Sequence, residues 1–244
     1  MSNRFYIRRV KQMFIQAGHP VISVDTKKKE LVGNFKNPGQ QWTQKATPVN
    51  DHDFPNAAIA KAVPYGIYDV VHNQGFVYVG TSSDTAAFAV DAIERWFLRP
   101  DRPRYADETK LLILCDGGGS NGYRVRNWKY QLQQLADRYG IEVMICHYPS
   151  GASKWNPIEH RLFSFISINW AGQPLRSLNR LTALIRGTTT KTGLVVKASQ
   201  LKGHYPTKVK VSDAEMATLN LTRRKICPKW NYVLRPCRQY TKKA

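Results

Sequence analysis

Residues 111–115, Leu111-Leu112-Ile113-Leu114-Cys115, form an unbroken apolar run that stops on Asp116 and opens onto Gly117-Gly118-Gly119. A strand with no polar face must be covered on both sides, so helices have to flank it. The neighbouring segments supply them. Residues 124–139 read as a helix, with Val125, Trp128, Leu132, Leu135 and Tyr139 at three- and four-residue spacing. Residues 141–146 are the next strand, 157–170 the next helix, and 175–185 another. Upstream, Val21-Ile22-Ser23-Val24-Asp25 reads as a strand, Lys27-Lys28-Lys29-Glu30 as a turn, and 31–35 as a second strand. Residues 66–71 and 76–80 flank Asn73-Gln74-Gly75, a hairpin signal. Asp84 is placed to cap a helix carrying Ala87, Phe88, Val90, Ala92, Ile93, Trp96 and Phe97. Early hairpins followed by alternating strands and helices describe an α/β chain with a mixed sheet.

The remaining segments differ in character. Residues 1–20 are basic and loosely amphipathic, a linker or a truncated N-terminal region. Residues 36–64 carry Pro38, Gly39, Pro48, Pro55 and Pro64 and read as a long loop. Residues 21–200 make the α/β domain. Residues 201–244 hold eleven Lys or Arg against two acids, a net +9 of the chain's +20. Apart from a short helix opened by the capping box Ser212-Asp213-Ala214-Glu215, they read as a basic, partly irregular extension.

A chain with 37 basic and 17 acidic residues calls for a polyanionic partner, nucleic acid first and an anionic membrane surface second. No apolar run approaches the length that spans a bilayer, and no secretory signal is visible at the start. The cysteines at 115, 146, 227 and 237 lack zinc spacing; reduced thiols in a cytoplasmic protein are the simplest reading.

Between residues 143 and 212 there are ten Lys or Arg and one carboxylate, Glu159. It lies in Asn156-Pro157-Ile158-Glu159, where a helix begins. An acid on a surface that meets DNA weakens binding unless it holds a cation. Asp25 and Asp116 both end strands. Carboxylate oxygens suit magnesium or manganese better than zinc, so His147 and His160 are left out of the ligand set. Each acid also has a structural explanation. Asp116 fits a turn former, Asp25 the edge of a solvated turn, and Glu159 the third helical position of a capping box on Asn156. Their order along the chain permits convergence at one sheet edge.

Residues 21–37 (VISVDTKKKELVGNFKN), 80–88 (GTSSDTAAF), 116–127 (DGGGSNGYRVRN), 146–169 (CHYPSGASKWNPIEHRLFSFISIN) and 205–221 (YPTKVKVSDAEMATLNL) resemble the Rhodopirellula-type transposase DDE-domain family. The Asn-Pro-Ile-Glu start is also similar to that of mariner-related transposases. The resemblance implies a ribonuclease-H-like fold, a mixed five-stranded sheet with helices on both faces. It implies a catalytic and metal-binding triad at Asp25, Asp116 and Glu159, with two Mg2+ ions for which Mn2+ substitutes. The implied partners are transposon-end and target DNA, with self-association into a synaptic oligomer and a nucleoid-associated location. Phosphate contacts are expected from Lys27, Lys28, Lys154, Arg161, Arg223, Arg224 and Lys225. Only about twenty residues precede the first catalytic strand, so the chain is expected to be the catalytic portion of a longer protein. A non-catalytic DNA-binding remnant and a general nuclease of the same fold are the rival readings.

Overall fold

The computed structural model describes residues 1–46, 48–51, 55–99, 108–149 and 151–237. Helix α1 (Asn3–Gln16) leads into β1 (Val21–Thr26), the short β2 (Glu30–Val32), and the hairpin of β3 (Ala60–Asp69) and β4 (Gln74–Gly80). Helix α2 (Ala86–Phe97), β5 (Lys110–Cys115), α3 (Arg126–Tyr139) and β6 (Glu142–His147) follow. The chain then runs through α4 (Ser164–Asn169), α5 (Leu178–Arg186), β7 (Val195–Gln200), α6 (Asp213–Ala217), β8 (Leu221–Arg223) and β9 (Asn231–Leu234).

The described strands form one nine-stranded mixed sheet in the order β7-β4-β3-β1-β5-β6-β9-β8, with β2 added along β3. The expected count of five is therefore corrected. A five-strand path from β4 to β6 is its continuous centre, where long apolar or alternating runs made the strands readable. The additions are short and polar. Residues 195–200 alternate burial at Val196 and Ala198, an edge pattern with little apolar signal. The C-terminal strands sit among lysines and arginines, yet Tyr232, Val233 and Leu234 are buried because β9 pairs antiparallel with β6. Residues 221–223 and 231–234 thus belong to the sheet, within what was read as a basic, partly irregular extension.

Side-chain alternation divides the core. Ile22, Val24, Ile113, Cys115 and Ile145 face α2 and α3, against Phe88, Ile93, Trp96, Trp128 and Leu132. Val21, Leu112, Leu114, Met144 and Val233 face the other way, where α1 covers them with Ile7 and Val10. Beside them Val77, Val79 and Val196 lie under Leu162, Ile166, Leu181 and Ile185 of the α4–α5 region. Full burial of each such side chain contributes about 1.5–3 kcal/mol. Helix α1 is thereby bound into the core, in the segment read as a linker or a truncated N-terminal region.

Two local expectations change. Thr85, not Asp84, caps α2, its hydroxyl accepting from Phe88 N at 3.3 Å. The helix expected over 157–170 opens with a π-helical turn at Glu159–Phe163 before α4. The capping box at Ser212 and Glu215 forms as read, and all four cysteines are free. No described helix is long and apolar enough to cross a membrane.

Candidate active site

Strand period places the acids. On β1, Val21, Ser23 and Asp25 share the face opposite Ile22 and Val24; on β5, Leu112 and Leu114 share it and Asp116 continues it. The two strands are parallel, with Ser23 opposite Leu114 and Val24 opposite Cys115. One residue further, Asp25 and Asp116 are neighbours across a strand spacing of about 5 Å. Both line an open cleft of about 360 Å³ at the carboxyl ends of these strands, together with Thr26, Asp84 and the glycines at 117, 118 and 119. Gly119 has φ +69°, a backbone state open to glycine, and a Cβ there would meet open space.

Glu159 arrives from the same side of the sheet on the π-helical turn. That turn lies against β3 because residue 66, paired with Asp25, is a glycine. A Cβ on Gly66 would stand 2.7 Å from Phe163 Cζ and 2.8 Å from Ile158 Cδ1. Gly66→Ala should therefore push the Glu159 turn off the sheet. We expect about 1–3 kcal/mol lost in a denaturant melt, and roughly a hundredfold lower rate in any reaction needing Glu159 in place. An unchanged melt would show that the turn yields without strain.

Asn156 ties the three segments together. Fully buried, its side chain accepts from Ser23 Oγ and donates to Val24 O at 3.3 Å, while Ser23 Oγ accepts from Ile158 N at 3.0 Å. The Asn156 amide also draws the Asp116 carboxyl down against its burial. The Asn156 side chain is thus engaged by β1, which replaces the capping-box explanation of Glu159. His147 holds Asp116 from the other side, its Nδ1 3.0 Å from Asp116 O and its Nε2 3.2 Å from Tyr232 Oη. Neither histidine was read as a ligand; His147 positions the backbone, and the exposed His160 contacts Lys154 O.

Burial and then the charge of Asp116, with smaller contributions from Glu159 and Asp84, push the Asp25 carboxyl up to about 8, against the pull of the Thr26 N–H at 2.7 Å. Burial raises Asp116, offset by the Asn156 amide. Burial and Asp116 raise Glu159, while His160 and Lys27 draw it down. Asp116 Oδ1 is buried with no hydrogen-bond partner. An orphaned carboxylate oxygen beside a second carboxylate suits a hard divalent cation. Among the described residues no group of three or more His, Cys, Asp or Glu side chains is placed to hold a metal ion, and Glu159 is not among the residues lining the cleft with Asp25 and Asp116.

Burial also pushes the His147 imidazole down to about 4 from its ordinary 6.5. Between those values the unfolded chain carries a proton the folded chain refuses. Stability is therefore full above about pH 6.5 and lost as pH falls through 4, by roughly 3 kcal/mol. Melts of the wild type and His147→Gln across that range should converge as pH falls; parallel curves would show that His147 titrates normally.

The basic residues scatter. Lys27 is turned inward, 3.3 Å from Glu30 and over the Trp170 ring at 4.5 Å, and burial lowers its ammonium. Unlike the other expected phosphate contacts it is buried: two attractive partners and the core edge hold it. Lys28, Lys154, Arg161, Arg223, Arg224 and Lys225 are exposed. The register puts Arg223 level with Tyr232 and Ile145, near the sheet end that carries the acids, three strands from β5 or about 14 Å. Arg224 donates to Tyr6 Oη at 3.2 Å. Asp84 is the acid that the sequence reading left out of the site, where it accepts from Thr26 Oγ1 at 3.0 Å.

The profile of the Rhodopirellula transposase DDE domain matches residues 3–236. The chain belongs to that family. As a member it is a DDE transposase domain, with the mixed α/β architecture described above. None of the curated proteins matches it. Two similar solved structures are the Mos1 transposase paired-end complex with left transposon end (16% identity, TM-score 0.49) and the Mos1 mariner paired end complex with Mn (15%, 0.48). Each match covers 74% of this chain, which spans about half of the Mos1 chains, 51% and 52%.

Proposed function

We propose that this DDE domain cleaves DNA strands and transfers the freed ends to target DNA, using Mg2+ or Mn2+, two ions in the full site, held by Asp25, Asp116 and Glu159. The observation that carries the reading is the adjacent pair Asp25 and Asp116 on parallel strand ends, with Asp116 Oδ1 buried and unpartnered. A divalent cation bound there supplies Lewis-acid activation of a water or 3′-hydroxyl and stabilises charge on the leaving oxygen. The protein's own residues do the positioning. Thr26 N–H fixes Asp25, His147 fixes the Asp116 carbonyl, and the nearby Asn156 amide favours the charged Asp116 carboxylate. Glu159, whose charge reaches Asp25 from its turn, would complete the set. Exposed lysines and arginines would hold the phosphates, fixing the strand against the acids. Transposon ends and target DNA are the proposed substrates, in a synaptic oligomer.

The second reading, a DNA-binding remnant without catalysis, is favoured by the finding that no group of three or more His, Cys, Asp or Glu side chains among the described residues is placed to hold a metal ion. Plasmid nicking separates the two. The wild type should nick supercoiled plasmid with Mg2+ or Mn2+ and not with a chelator, and Asp116→Asn should not. Binding without nicking favours the remnant; equal nicking of plasmids with and without transposon ends indicates a general nuclease.

A further inference from the structure

We propose that the cleft between α1 and the turn preceding Glu159 binds an unpaired DNA strand. The proposal rests on the reading that DNA is the substrate and adds where, and in what form, part of it is held.

The cleft measures about 520 Å³ and lies between two chain segments, a size that suits a nucleotide-sized ligand. One wall is α1, where Arg4, Arg8 and Lys11 recur at four- and three-residue spacing and so share a helix face. The other wall is Lys154 and Trp155. Helix α1 contains no acid, and among the described residues no ion pair engages any of these four cations. Four unneutralised cations around one cleft favour a polyanion over a polypeptide.

Aromatic surface narrows the class. The Arg4 guanidinium lies over the Trp155 ring at 4.9 Å, and Phe5 at the rim is 65% exposed. A planar cation lying over an indole shows that this ring accepts a flat, polarisable group on its face. A duplex keeps its bases stacked inside and offers such a cleft only phosphates. An unpaired strand offers phosphates to the cations and bases to the rings.

The cleft also adjoins the acids. Asn3, at the start of α1, donates to His147 O at 2.9 Å and accepts from Asn231 Nδ2 at 2.7 Å. That anchors α1 to the sheet end where His147 holds Asp116. Lys154 and Trp155 lie in the 3-10 turn Ser153–Trp155, which runs directly into Asn156 and Glu159. A strand whose phosphate sits at Asp25 and Asp116 has this cleft beside it.

Anisotropy of a labelled oligothymidylate and of a duplex of the same length, both with EDTA, tests the proposal. The double variant Arg4→Ala/Arg8→Ala, both exposed, should lose about tenfold in affinity for the single strand, with the salt slope flattened by about 1.4. Duplex affinity should fall less than about threefold. Trp155→Ala should lose about tenfold on the single strand and Trp155→Phe should retain binding, which separates stacking from a folding defect. No loss on the single strand overturns the inference, as does an equal loss on both ligands, since that describes a uniformly basic surface. Because no metal is present, failed cleavage leaves this result untouched. Absence of all DNA binding removes both the proposed function and this inference; unaffected variants of a nicking-competent protein remove this inference alone.

Discussion

Asp25→Asn and Asp116→Asn should each lower metal-dependent nicking by about a thousandfold or more, since each removes a charge the reaction needs in place. The two variants should still fold. Mg2+ or Mn2+ should raise the melting temperature of the wild type by binding the folded state, and raise it less in either variant. The pH dependence gives a second, independent signature. Unfolded, Asp25 loses its proton near 3.8; in the metal-free folded chain it does so near 8. Between these values the folded state holds a proton that the unfolded state has released. Stability therefore falls as pH rises from about 4 to about 8. The amide variant carries no such charge, so without metal Asp25→Asn should match the wild type near pH 4. It should exceed the wild type at about pH 8 by on the order of 5 kcal/mol. Metal binding at neutral pH should release about one proton from the wild type. Identical metal-free melts across this range would show that Asp25 is ionised and solvated like any surface aspartate.

DNA affinity should be steeply salt-dependent, with log affinity falling by about 0.9 per phosphate neutralised on a duplex. Arg223, Arg224 and Lys225 end and follow β8 at the outer edge of the sheet and face solvent. Replacing all three by Gln should flatten the slope by up to about 2.7. Charge substitution is the right perturbation here. Truncating the chain before them would also remove β9, a buried strand against β6. Glu159→Gln should act in the opposite sense. Without metal it removes a negative charge from a basic surface, so duplex should bind as well or better while cleavage is lost. Weaker metal-free binding by Glu159→Gln would assign the residue a structural role.

Much of the site was legible because strand period and strand ends are local properties. An apolar run ending in Asp116 and a β-branched run ending in Asp25 needed only their own residues to be placed. The parallel pairing that makes them neighbours is non-local, as is the glycine at 66 that admits the Glu159 turn. Asn156 was misread for a related reason. Before a helix, an asparagine is a good cap, and only the approach of Ser23 and Val24 from β1 diverts it. Asp84 and Thr85 are both capping types, and the chain used the second, leaving Asp84 to the cleft. Its place in GTSSDTAAF, a stretch that carried the family resemblance, was the available signal. Lys27 looked like one of three turn lysines, but Glu30 and the Trp170 ring draw it inward. The missed strands β7, β8 and β9 are three to six residues long, and their partners, not their composition, make them strands.

Anomalous scattering from crystals of this chain soaked in Mn2+ tests the central claim most directly. The account predicts a manganese peak within about 2.2 Å of carboxylate oxygens of both Asp25 and Asp116, lost in Asp116→Asn. A peak held by other residues, or none at saturating Mn2+, would contradict it.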